Sequence, residues 1–90
     1  MIETTTYHAI RNHIVREHGE QLNNEATASM LEHRCWAPSI TGWGWQLSLD
    51  GEDELADLWD CLDAGEQAAM LRDAVEQYQD ELAAAREHLA

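Results

Sequence analysis

Asp53, Asp57 and Asp60, and farther along Glu66, Asp73, Glu76, Asp80 and Glu87, recur at steps of three, four and seven residues. At about 100° per helical residue, each set falls along one side of a helix. Carboxylates three or four residues apart lie about 5–6 Å apart at Cβ and destabilise a helix by about 0.2–0.5 kcal/mol per pair. A helix optimised only for stability would intersperse Lys, and this chain has none. Rows of this kind suit the gripping of guanidinium and ammonium groups. They suit acid–base catalysis poorly, because a carboxyl in water lacks the burial that raises its pKa.

The remaining reactive side chains offer less. His13 and Glu17 are four residues apart and could share an ion, but His8 and His18 stand five from His13 and off its face. His33 and Cys35 belong to no CxxC or HExxH pattern, so no metal site is expected. Cys61 and His88 could pair as nucleophile and base only if the fold joined them. No GxSxG, P-loop or GxGxxG occurs, and without Lys there is no Schiff base or phosphate clamp. No catalytic residue and no cofactor is expected. Two cysteines are too few for a disulfide scaffold and read as reduced thiols.

Helices must carry the two acidic rows. Leu55, Leu58, Trp59 and Leu62 share one face, opposite Asp53, Asp57 and Asp60, in a third helix that opens near Asp50 and ends at Gly65. Leu71, Val75, Tyr78, Leu82, Ala85 and Leu89 then step by four and three, a heptad seam on a helix over residues 66–89. The Gly65 turn predicts that these two helices form an antiparallel hairpin. Upstream, Thr4, Thr5 and Thr6 can cap a first helix over 5–18 that stops at Gly19. Asn23 or Asn24 can cap a short second one reaching 31–33. Trp43, Trp45, Leu47 and Leu49 alternate with Gly44, Gln46 and Ser48, the period of a half-buried strand. Such a strand needs a partner, which residues 30–36 or another chain could supply. The expected fold is therefore mainly α (α+β): about four helices, a small β-hairpin or strand near residues 43–49, and a long C-terminal helix packed as a helical hairpin. Residues 1–90 make a single small acidic domain.

Charge bounds the partners. Eighteen Asp and Glu against five Arg give a net −13. Residues 1–49 hold five acids and three Arg, whereas residues 50–90 hold thirteen acids and two Arg. That asymmetry argues for a directed surface rather than for acid spread evenly for solubility. It repels nucleic acid and anionic membrane, so neither is expected to bind directly. It attracts an Arg/Lys-rich protein, such as a nucleic-acid-binding host complex. No apolar run nears the ~18 residues of a membrane span, and the opening residues do not read as a signal peptide, so a cytoplasmic setting is expected.

The expected function is inhibition by contact. The carboxylates of both helices would mimic a line of phosphates and occlude a basic nucleic-acid-binding surface. Trp43 and Trp45, on one strand face, would cover the helices as core or, at the interface, serve as apolar anchors. Short acidic proteins of phages and mobile elements, anti-CRISPR proteins among them, are an analogy of type. The alternative is a dimeric structural or adaptor protein, such as a phage assembly factor or an antitoxin-like partner. It would use the seam of Leu71, Val75, Tyr78, Leu82 and Leu89 for a homodimer.

Overall fold

A computed structural model describes residues 3–89 of the chain. Four α-helices follow in order: α1 (Thr4–His33), α2 (Trp43–Leu49), α3 (Asp53–Asp60) and α4 (Ala64–Leu89). Among the described residues there is no strand.

The first helix runs straight through Gly19 and Asn23, where the sequence predicted a stop and a restart. Tertiary packing overrides both signals. Gly19 is buried, and the Tyr78 ring lies on it so closely that an added Cβ would sit 2.6 Å from Cδ2 and 3.2 Å from Cγ. The residue is small because a neighbouring helix crosses there, not because the helix ends. Asn23 accepts a hydrogen bond from Gln79 Nε2 at 2.9 Å, so it serves the contact with α4 instead of a cap. The helix ends at Arg34, whose φ of 59° is left-handed and whose N–H donates to the Met30 carbonyl.

The strand expected over 43–49 is a helix. An alternating run of seven residues is also two i, i+4 pairs, Trp43 with Leu47 and Trp45 with Leu49, on opposite sides of a helix. Helix formation satisfies the backbone internally, which an unpartnered strand could not. Its proposed partner segment is used up too, since α1 holds residues up to His33. Helix α2 closes in a Schellman motif. Gly51 N–H donates to Ser48 O and Glu52 N–H to Leu47 O, both at 3.0 Å, and Gly51 takes the left-handed φ of 83° that the motif demands.

Helix α3 stops at Asp60, and Gly65 falls inside the first turn of α4. A reciprocal capping box fixes that start. Glu66 N–H donates to Asp63 Oδ1 at 2.8 Å, and Asp63 N–H reaches back to Glu66 Oε1 at 3.4 Å. The helical pairing differs from the hairpin expected between α3 and α4. The long helix α4 packs on α1, and α3 packs chiefly on α2.

The core lies where these pairs meet. Ile10 and Ile14 of α1, Leu47 of α2, Trp59 of α3, and Met70 and Leu71 of α4 are its largest fully buried side chains. The radius of gyration, 13.5 Å, exceeds the roughly 12 Å expected for a chain of this length, because two long helices stretch the domain.

The Gly19–Tyr78 contact sets two effects against each other. Alanine in a helix interior is favoured over glycine by about 0.5–1 kcal/mol. Forcing a packed ring aside costs about 1–3 kcal/mol. The second should win, so Gly19→Ala should lower the melting temperature in a thermal scan. A rise would mean that the Tyr78 ring moves freely.

Candidate functional site

Seven of the eight acids in the predicted rows are exposed: Asp53, Asp57, Asp60, Asp73, Glu76, Asp80 and Glu87. Glu66 is half-buried and committed to the α4 cap. Among the described residues, none of the eight forms an ion pair; the ion pairs involve Glu17, Glu32, Asp50 and Glu52 instead.

The two rows differ in surroundings. On α4, Asp73, Glu76 and Asp80 line a hollow of about 400 Å³ together with Arg11 of α1 and Gln77. Asp73 also accepts a 2.6 Å hydrogen bond from the Tyr7 hydroxyl. Burial, and then that carboxylate acceptor, push the Tyr7 phenol well above its usual value, so it remains a donor. The α4 row thus has a guanidinium beside it and one member tied to α1. The α3 row has neither. Asp53, Glu54, Asp57 and Asp60 are exposed on a helix without a basic residue. The Asp60 carboxylate lies against α2, where a Cβ at Gly44 would meet its Oδ1 at 2.5 Å.

Trp43 and Trp45 do not share a face, as the strand reading required. Two residues along a helix turn the side chain by about 200°. Trp43 points inward, edge-on to His18 at 5.1 Å between centroids and tilted against Trp59 at 6.3 Å. Its Nε1 donates to Ser39 O at 3.1 Å. Trp45 points outward and is 68% exposed, and Leu49, one turn on, is 60% exposed.

Within the heptad seam, Leu71 and Val75 lie in the core of their own domain, and Tyr78 and Leu82 are half-buried. Leu89 closes α4, and its side chain lies outside the described residues. Cys35 and Cys61 are free and exposed.

One constellation has no counterpart in the sequence reading. His18 Nε2 lies 2.7 Å and His13 Nε2 3.4 Å from the same oxygen, Asp50 Oδ2. His13 is buried at 4% exposure, and its Nδ1 faces Arg16 Nη2 at 3.1 Å. Arginine can only donate, so Nδ1 accepts and Nε2 carries the proton toward Asp50. Glu52 Oε1 also approaches Nδ1, but 3.7 Å is too long for a hydrogen bond. The His18 bond holds the Asp50 carboxyl below the usual carboxylate value against the opposing effect of burial, and His13 adds to the lowering. The arrangement clasps the end of α2 to α1. Nothing local betrays it, because Asp50 is 32 and 37 residues from its partners. The ion shared by His13 and Glu17 gives way to this clasp, with Glu17 taking Arg16 at 3.4 Å.

Comparison with protein-family models, with curated proteins and with solved structures finds no match. The site is therefore read from its own chemistry. Among the described residues no group of three or more His, Cys, Asp or Glu is placed to hold a metal, and no helix is long and apolar enough to cross a membrane. What the surface offers is a set of unpaired carboxylates on α3, beside a short helix with an exposed indole.

Proposed function

We propose that this protein acts by docking, with the carboxylates of α3, supported by those of α4, meeting an Arg/Lys-rich surface of a nucleic-acid-binding protein. The observation that carries the reading is the α3 row itself. Asp53, Asp57 and Asp60 are exposed, free of ion pairs among the described residues, and on a helix with no basic residue. Repulsion within such a row is relieved when a cationic surface covers it. A net charge of −13 speeds encounter with that surface and sets a strong salt dependence. The specific form of the proposal is a nucleic-acid mimic that occludes its partner's binding groove, as anti-defence proteins of the anti-CRISPR type do.

Two triple reversals test it: Asp53, Asp57 and Asp60 to Arg, and Asp73, Glu76 and Asp80 to Arg. Immobilised wild type should retain nucleic-acid-binding proteins from a cell lysate at low salt. Moderate salt or added DNA should release them. The α3 reversal should abolish retention with the circular dichroism unchanged. The α4 reversal should weaken it, and it also removes the Tyr7–Asp73 hydrogen bond. If the α3 reversal retains the same proteins as wild type, the carboxylate row is not the docking surface.

A further inference from the structure

We infer that Trp45 and Leu49 are the apolar anchor of this docking face and seat in a hydrophobic recess bordered by Arg or Lys on a basic protein partner; the inference rests on the docking reading above. Helix geometry sorts the four apolar residues of α2 into two pairs. Trp43 and Leu47 face the core, and Leu47 is fully buried. Trp45 and Leu49 stand about 40° apart on the opposite side and are 68% and 60% exposed. Isolated exposed leucines are ordinary. A tryptophan with a leucine one turn away, both turned to solvent from one short helix, forms a patch.

The patch is held ready for use. Trp43 is packed between His18 and Trp59, the Schellman turn at Gly51 fixes the end of α2, and the His18–Asp50 bond ties that end to α1. A partner would therefore meet an indole on a positioned backbone, with little ordering entropy left to lose. Buried tryptophans dominate the binding energy of many interfaces.

Charge chooses the occupant. The Asp60 carboxylate lies against Gly44, the residue before Trp45, and the other carboxylates of α3 follow along the neighbouring helix. Seating a second copy here would bring two such acidic faces together, each on a chain of net −13. Nucleic acid and anionic lipid are repelled in the same way. A protein surface with an apolar recess and a cationic rim matches both features at once.

The test uses two synthetic peptides of equal charge. One is an amphipathic helix with Leu on one side and Arg on the other. The second has every Leu replaced by Gln. Their affinities for the full chain are measured by fluorescence anisotropy at low and moderate salt. Wild type should bind the Leu/Arg peptide at least about tenfold more tightly than its Gln/Arg counterpart. The double variant Trp45→Ser/Leu49→Ser should bind the two equally, with salt dependence retained. If that variant keeps the tenfold preference, the anchor assignment is overturned while docking through α3 stands. If neither peptide binds wild type at low salt, both readings fall. Light scattering adds a third arm. A wild-type dimer that becomes a monomer in the double variant makes a second copy the occupant, and overturns the proposal.

Discussion

Replacing Trp59 by alanine should lower stability by about 3–5 kcal/mol, the range for removing a fully buried large aromatic. Trp59 is 1% exposed and is the largest fully buried side chain of the domain. It sits under Trp43 of α2, in the core that includes Ile10, Ile14, Met70 and Leu71. Its backbone carbonyl also accepts a hydrogen bond from Gln67 of α4 at 2.9 Å. The side chain thus helps join the α2–α3 pair to the α1–α4 pair. A domain of this size shifts by roughly 4–8 °C per kcal/mol, so the melting temperature should fall by more than about 12 °C. Global stabilities commonly lie at about 5–15 kcal/mol, so a large part of the whole is at stake. Denaturant titration followed by circular dichroism would measure the loss. A fall below about 1 kcal/mol would mean that the two helix pairs are joined elsewhere.

Removing the Asp50 carboxylate has the second large effect. In Asp50→Ala the buried His13 Nε2–H loses its acceptor and His18 loses a 2.7 Å bond. Leaving a buried donor unsatisfied costs about 1–3 kcal/mol. The pH dependence gives the loss a signature. The folded-state pKa of Asp50 is lowered. Its stabilising contribution is therefore complete above the carboxyl value of the unfolded chain, about 4, and disappears as pH falls through the lower folded value. Acidification also neutralises the other carboxylates and relieves their mutual repulsion, but it does so in both proteins. The gap in melting temperature between wild type and Asp50→Ala should thus be present at about pH 5 and narrow as pH falls below about 4. A gap as wide at pH 2 as at pH 6 would show that the carboxylate charge contributes nothing.

Much of the helical architecture is legible from periodicity. The apolar face of α3 and the stepping of Leu71, Val75 and Tyr78 in α4 read correctly as helix. Thr4, Thr5 and Thr6 mark the start of α1 without capping it: they lie inside its first turn, and Glu3 stands at the N-cap with no side-chain cap bond. The outward placement of the carboxylates follows from the same arithmetic, since residues opposite a buried stripe must face solvent. The failures share one cause: a local signal whose meaning depends on a distant contact. Gly19 reads as a terminator unless one knows that Tyr78 lies on it. The run from Trp43 to Leu49 carries period two and period four at once, and only the packing of Trp43 on Trp59 selects the helix. That selection also divided the expected tryptophan pair and left Trp45 facing solvent. The short connection after α3 suggested a hairpin, yet α4 found its long apolar partner in α1. The Asp50 clasp was invisible for the same reason, because its members come together only through the fold.

The placement of the indoles has a spectroscopic consequence. Trp59 sits in a buried, apolar setting, Trp36 and Trp43 are partly covered, and Trp45 stands in solvent. The emission of the folded chain should be a composite, with a blue component from the interior and a red one from Trp45. The anionic surface should favour caesium over iodide as a quencher of the red component. One cuvette could then follow two events independently: loss of the red-edge quenching as a ligand covers α2, and a shift of the blue edge as the interior opens.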